Sequence, residues 1–193
     1  MATAITTEQL KELRQRTGAG IVDCRNALRQ AGGDLEKATG ILRAKGLASA
    51  EKKASRTAGE GLIEAYIHTG GKLGAMVEVN CETDFVARTD EFRRLARDLA
   101  MQVTAAAPQY VSREEIPPAV VEEQRRRFAE DLAGAPAAAA EGRLEKWFGE
   151  VVLLDQPFIK DEGRRIKDVI TEAVARIGEN IQVRRFARFR LGE

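Results

Sequence analysis

Apolar positions recur along the first fifty residues at helical spacing, broken by glycine. Thr6 and Gln9 stand at the separation of a capping box, which lets each satisfy an orphan backbone donor at a helix start. Leu10 and Leu13 give that helix an apolar edge, and Gly18 and Gly20 stop it. A second helix is predicted over 21–31, with Val22, Ala27 and Leu28 inward and Gly32-Gly33 ending it. Asp34 caps a third, whose Leu35, Ala38, Ile41 and Leu42 share a face and which Gly46 is expected to end. Three short helices with glycine turns make a small bundle. Residues 48–58 mix Glu51, Lys52, Lys53 and Arg56 with small side chains and lack a continuous apolar face, so they read as a helix-compatible linker.

The period then changes to two. Ile63, Ala65 and Ile67 alternate with Glu64, Tyr66 and His68, which makes the first set the apolar face and puts His68 on the polar one near the turn. After Gly70-Gly71, Leu73, Ala75, Val77, Val79 and Cys81 alternate with Gly74, Met76, Glu78 and Asn80. Two such runs about a Gly-Gly pair predict a hairpin. Thr89 can cap a following helix, with Asp90 and Glu91 in the first turn where the helix dipole favours anions. Its stripe is Phe92, Leu95, Ala96, Leu99 and Val103, and Pro108 ends it.

Tyr110-Val111 suggests a short extended piece, and Pro117-Pro118 opens a helix with Val120, Val121, Phe128 and Leu132 as its apolar positions. Arg125, Arg126 and Arg127 would spread around that helix as solvated charge. Residues 133–140 are low in complexity, and a helix resumes over 142–150 with Leu144, Trp147 and Phe148. A last helix is predicted over 163–177, lined by Ile166, Val169, Ile170, Ala173 and Ile177 and closed by Gly178. A strand over 181–191 would place Ile181, Val183, Ala187, Phe189 and Leu191 on one face, interrupted by Arg185, and Gln182, Arg184, Phe186, Arg188 and Arg190 on the other. The fold class is therefore α+β: an N-terminal helical bundle, then a core with a small antiparallel sheet packed by helices.

Composition narrows the function. At 193 residues, 32% charged and 44% hydrophobic, the chain reads as one soluble domain or two small ones. A net charge of +1 argues against a mainly electrostatic nucleic-acid binder. Cys24, Cys81 and the single His68 offer no zinc pattern, and the cysteines read as small buried groups in a reducing compartment. The polar start from Thr3 to Gln9 and the lack of any run near the roughly 20 apolar residues of a membrane span make the cytoplasm the expected location. Gly70-Gly71-Lys72 fails as a phosphate loop, because Tyr66 stands where its first glycine belongs and Leu73 where its Ser or Thr belongs. Gly18-Ala19-Gly20 lacks the third glycine and the preceding strand of a dinucleotide site. No nucleotide site, metal or cofactor is expected. Arginines interleaved with Phe186 raise an RNA- or ribosome-associated module as an alternative; a strand packed on another protein explains them equally well.

The stretch Asn80-Cys81-Glu82-Thr83-Asp84-Phe85-Val86 joins the hairpin to the long helix. An aromatic ring at such a junction either tucks into its own core or enters a partner, and the rarity of exposed aromatics favours the core. Glu82 and Asp84 could share a face as paired carboxylates, but no second polar cluster supplies a general-base network, so no enzyme is expected.

Those residues also carry a resemblance. Thr83-Asp84-Phe85-Val86, preceded by Asn80-Cys81, resembles a signature of the bacterial elongation factor Ts family, the guanine-nucleotide exchange factors for elongation factor Tu. Leu13-Arg14-Gln15-Arg16-Thr17-Gly18-Ala19-Gly20 resembles the family's N-terminal signature, Ile177-Gly178-Glu179-Asn180-Ile181 its late one, and Leu154-Asp155-Gln156-Pro157-Phe158 a common segment before the last helix. They stand in the family's order and cover most of the chain. The resemblance reverses the odds on Phe85: it implies a loop tip, Thr83 to Val86, whose Asp84 and Phe85 enter elongation factor Tu. It implies that residues 1–50 resemble a ubiquitin-associated domain docking on the partner's nucleotide domain, with Lys11, Arg14, Ile21 and Val22 toward it. From the residues alone, Ile21 and Val22 read as core and Lys11 and Arg14 as a solvated face. Residues 51–58 would be a linker and 59–193 a core and dimerisation domain. Relatives carry a longer amphipathic helix near 133–140, so this chain reads as a short form. Longer members hold two related core subdomains in one chain; short members replace the missing half with a second subunit. The resemblance thus implies a homodimer, and the strand over 181–191 offers it a surface free of cysteine.

Overall fold

The computed structural model describes residues 5–132 and 136–193. Its helices are α1 (Thr7–Thr17), α2 (Ile21–Gln30), α3 (Leu35–Lys53), α4 (Asp84–Ala87), α5 (Asp90–Ala106), α6 (Pro118–Asp131), α7 (Ala137–Val151) and α8 (Ile166–Ile177). Its strands are β1 (Glu60–Ile67), β2 (Leu73–Cys81), β3 (Pro157–Phe158), β4 (Asp161–Arg165) and β5 (Gln182–Arg190). The architecture is α+β, as the pattern predicts.

The first three helices pack around buried Leu13, Cys24, Ala27, Leu28 and Ala38. The capping box of α1 forms: Gln9 N donates to Thr6 Oγ1 at 3.2 Å and Thr6 N to Gln9 Oε1 at 2.9 Å. Two expectations fail here. Val22 is not inward but largely exposed. It stands about 140° around the helix from Ala27, and Cys24 takes the inward position instead. Gly46 does not end α3, which runs on to Lys53 and absorbs the first part of the expected linker. Glycine costs a helix interior only about 1 kcal/mol. At Gly46 the helix lies against α8, where an added Cβ would sit 3.5 Å from the Cβ of Ala175. Tertiary packing outweighs the local preference.

The main core lies between a three-stranded antiparallel sheet, ordered β1-β2-β5, and helices α5 and α8. Ala75, Val77, Val79 and Cys81 of β2 are buried and pack with Phe92, Leu99 and Val103 of α5. That unbroken apolar set decides which face turns inward, and paired residues must follow it. Tyr66 stands opposite Ala75, Glu64 opposite Val77 and Leu62 opposite Val79. In β1, therefore, the polar alternates turn in and Ile63, Ala65 and Ile67 turn out, the reverse of the sequence reading. Arg97 of α5 makes the inversion tolerable: its guanidinium pairs with Glu64 at 3.0 Å and lies 5.4 Å from the Tyr66 ring centroid.

β5 contains a bulge. Glu78 faces Arg185 while the next residue, Val79, faces Val183, so Arg184 is the extra residue. Both arginines reach the Glu78 carboxylate, at 3.9 and 2.7 Å. Beyond the bulge Phe186 and Arg188 are the partly buried positions, and Ala187, Phe189 and Leu191 are exposed. The single apolar face expected for this strand is thus split between the two sides of the sheet.

Helices α6 and α7 form a hairpin around Ile116, Leu144, Phe148 and Val151. Residues 137–140 belong to α7, which starts before Gly142; the low-complexity positions 133–135 lie outside the described residues. Polar side chains join this hairpin to the core: Gln156 Nε2 donates to Glu150 O at 2.8 Å, and Gln102 Nε2 to Gln156 Oε1 at 3.1 Å. The last helix begins at Ile166, because residues 161–165 form β4 instead. Asp161 accepts from Gly163 N at 3.2 Å and Arg164 Nε at 2.7 Å, and Asp168 accepts from Arg165 N at 3.0 Å, so the helical start is fixed there. Among the described residues no helix is long and apolar enough to cross a membrane.

Candidate functional site

The stretch between the hairpin and the long helix folds into α4, a single helical turn. Thr83 is its N-cap, accepting from Val86 N at 3.4 Å. Thr89 Oγ1 donates to Val86 O at 2.8 Å and then caps α5 by accepting from Phe92 N at 3.3 Å. The turn projects its members differently. Val86 packs against the main core and Ala87 is buried. Asp84 is exposed and paired with Arg88. Phe85 is 85% exposed, more than any other large apolar residue described. The core reading of Phe85 therefore fails, for the turn is anchored through Val86 and Ala87 and carries the ring outward.

One helical turn does not hold itself. Glu179 holds it from outside: Oε2 accepts from Glu82 N and Thr83 N, both at 3.0 Å, and Oε1 accepts from Thr83 Oγ1 at 2.6 Å. The arrangement is reciprocal. Glu82 Oε1 accepts from Asn180 N at 2.6 Å and meets Arg56 at 3.4 Å, while Asn180 Nδ2 donates to Arg56 O at 2.8 Å. Beneath, the Cys81 thiol donates to Thr83 O at 3.2 Å. Burial, with the Glu179 charge second, pushes that thiol up to about 11, so it stays protonated and serves as a donor. Glu82 and Asp84 are thus engaged separately and do not act as a carboxylate pair.

Glu179 reaches Thr83 because Gly178 ends α8 in the left-handed conformation, at φ 89°. Two residues earlier, Arg176 pairs with Glu91 at 2.6 Å and covers Gly18 in the α1–α2 turn. Gly18 has φ 66°, and a Cβ there would stand 2.6 Å from Arg176 Cδ. The signature over 83–86 and the N-terminal and late signatures meet at one end of the molecule. Lys11 and Arg14 are exposed on α1, and Ile21 and Val22 are 52% and 61% exposed at the start of α2. The reading of these two as core is overturned.

Two further observations bear on function. The outer face of the sheet carries Ile63, Ile67, Met76, Phe189 and Leu191, all exposed. The cross-strand register sets Ala65, Met76 and Ala187 in one row and Ile67, Gly74 and Phe189 in the next. Phe186, by contrast, packs against the main core, and Arg188 Nε donates to Thr104 O at 3.2 Å, so these two form no open stacking platform. His68 lies exposed beside Tyr66, with 3.2 Å between Nδ1 and the hydroxyl. Sequence reasoning weighed Glu82 only as half of a carboxylate pair and gave no bracing role to Arg176, Glu179 or Asn180. For Glu179 and Asn180 the one signal was position: hydrogen-bonding side chains directly after the helix-ending Gly178 have left the helix and need another partner.

Comparison with known proteins agrees with the three signatures. The family model described as Elongation factor TS matches residues 49–193. Proteins named elongation factor Ts are similar over 98% of this chain: that of Carboxydothermus hydrogenoformans is 57% identical with 90% of its own length covered, and that of Thermodesulfovibrio yellowstonii is 54% identical with 98% covered. The elongation factor Ts of Heliobacterium modesticaldum is 54% identical, with 91% of its length covered.

Proposed function

The chain belongs to the elongation factor Ts family of translation elongation factors, and from that premise we propose that it binds elongation factor Tu in the cytoplasm and accelerates release of its GDP. The observation that carries this reading is Phe85, an aromatic ring held out in solvent on a turn whose base makes three hydrogen bonds to the Glu179 carboxylate. An exposed aromatic on a fixed base is the kind of anchor that concentrates binding energy. Phe85 enters the partner beside its phosphate site, and Asp84 competes for the groups that hold phosphate and magnesium. Thr83 and Val86 keep the turn in shape. Lys11, Arg14, Ile21 and Val22 form the second contact, on the partner's nucleotide domain. The protein performs no chemistry and binds no nucleotide itself.

The mechanism is linkage. A factor that prefers nucleotide-free elongation factor Tu must weaken GDP binding by the same factor. Acceleration by about ten-thousand-fold requires a barrier lower by roughly 5.5 kcal/mol. One aromatic anchor contributes about 2–4 kcal/mol of this; the bundle and a second subunit supply the rest. That subunit is a second copy of this chain, docked through the outer face of the β1-β2-β5 sheet, where exposed Ile67, Met76 and Phe189 lie together on neighbouring strands.

Release of a fluorescent GDP analogue from elongation factor Tu tests the reading. Phe85→Ala slows catalysed release at least tenfold with an unchanged melting curve, because the ring is 85% exposed. Val22→Asp raises the concentration of factor needed for half-maximal rate. Full exchange activity in the Phe85 variant would sink the wedge, and an unchanged half-maximal concentration would remove the bundle from the contact.

A further inference from the structure

We propose that Glu179 is a positioning residue for exchange: its carboxylate, through the Thr83 hydroxyl, holds the α4 turn in the conformation that presents Asp84 and Phe85. The inference rests on the exchange reading above and assigns a residue that neither the wedge nor the bundle contact includes.

The argument begins with donor and acceptor inventory. Glu82 N, Thr83 N and Thr83 Oγ1 all converge on one side chain, at 3.0, 3.0 and 2.6 Å. An ionised carboxylate is acceptor-only, with about four lone-pair sites, so it takes all three donors without conflict. Such charge-assisted bonds are roughly twice as strong as neutral ones. The Thr83 hydroxyl has a single hydrogen, and Glu179 claims it. Its oxygen lone pairs are left for Val86 N, the bond that caps α4. Glu179 therefore orients the cap rather than merely touching it.

A turn of four residues lacks the length to stabilise itself, so its population depends on what is attached to its ends. At the far end it runs into α5 through Thr89. At the near end the attachments are the Cys81 thiol on Thr83 O and the Glu179 carboxylate. Glu179 is the one fixed by a distant part of the chain, 96 residues on from Thr83, and its placement depends on the left-handed Gly178. The return bond from Asn180 N to Glu82 Oε1 ties the same two segments a second time, so the clamp has a defined register. Asp84 and Phe85 make no bond to Glu179; its effect on the partner is transmitted through backbone geometry alone.

Glutamine at this position is nearly isosteric but replaces one acceptor oxygen with a donating amide, which then faces N–H or O–H donors. Glu179→Gln should cut the maximal catalysed rate of GDP release at saturating factor by more than tenfold. The half-saturating concentration, set largely by the other contacts, should change less than threefold. Amide hydrogen exchange at Asp84 to Arg88 should speed up while that of α5 and β2 is unchanged. Should the glutamine variant fail to fold, Glu179→Asp, which keeps the carboxylate and gives up one methylene of reach, should show an intermediate rate and intermediate protection. A fully active Glu179→Gln beside an active wild-type chain overturns the proposal and leaves the exchange reading intact. A wild-type chain that does not accelerate release overturns the exchange reading, and the proposal falls with it. A loss confined to half-saturation, with maximal rate and protection unchanged, makes Glu179 a contact and not a positioning residue.

Discussion

The two faces of the β1-β2-β5 sheet are made by the same strands yet meet opposite fates. On the inner face Ala75, Val77, Val79 and Cys81 vanish beneath α5 and α8. On the outer face Ile63, Ile67, Met76, Phe189 and Leu191 remain in solvent, with Ile67 70% and Phe189 65% exposed. The inner face is closed by residues of one chain. The outer face has the composition of a second inner face, and nothing among the described residues covers it. Charge is admitted there mainly toward one end, where Glu78 meets Arg184 and Arg185 across the bulge. A sheet with a single buried side normally turns polar residues outward; here apolar side chains face both ways. That pattern is what the proposed second copy would cover.

Substitution can sharpen the contrast, and the largest effect falls inside. Phe92→Ala removes a fully buried ring that packs with the β2 residues, and should cost about 3–5 kcal/mol in chemical denaturation. A loss under about 1 kcal/mol would mean that the inner face is not the principal core. On the outer face Phe189→Asp should leave the unfolding of the separated chain almost unchanged, since exposed substitutions alter stability by about 0.5 kcal/mol or less. The same change should raise the dimer dissociation constant by at least about thirtyfold, the equivalent of some 2 kcal/mol for one central anchor. A two-fold interface meets the change twice. Sedimentation at low concentration reads this directly, and a wild-type chain that is monomeric there yet fully active would break the comparison. The smallest effect should come from deleting Arg184. Without the extra residue Val183, Arg185 and Phe186 alternate regularly, with Phe186 still inward, so stability should change by no more than about 1 kcal/mol. Unfolding of that variant would show that the bulge sets the inner face and does not merely accommodate it.

The same contrast explains how far the fold could be read from residues alone. Alternation located all three strands of the β1-β2-β5 sheet, because a period of two is a local property. It did not reveal which side of β1 faces the helices, because that is settled by its neighbour: β2 has the continuous apolar set, and Tyr66 and Glu64 follow it inward. The split in β5 hides in an Arg-Arg pair that breaks the period, a signal visible in the sequence but open to two explanations. Helix ends followed local chemistry where a cap was present, as at Thr6, Asp34 and Thr89. They departed from it at Gly46, where α8 supplies packing that no local rule contains. The candidate site was legible through its resemblance, yet the residues that brace it were not. Glu179 and Thr83 are close neighbours only because α8 and β5 return the chain to the end of β2.

The continuity of α3 has a consequence for how the two proposed contacts on elongation factor Tu would add up. A flexible connection would let the bundle wander, so the second contact would form only at the local concentration that a slack tether permits. Here the connection is the far end of a bundle helix, α3, which runs unbroken for 19 residues, about 28 Å. It lies along α8, and Asn180 Nδ2 secures the chain beyond its end through Ala54 O at 3.4 Å and Arg56 O at 2.8 Å. A stiff strut fixes both the span and the rotational phase between its ends. Each added residue in its middle would turn the bundle by about 100°. With the phase correct, the second proposed contact would follow the first almost without search. If the proposed two-site contact holds, the same stiffness would make the spacing of Phe85 from Ile21 and Val22 a gauge of the partner's dimensions, inscribed in helix length.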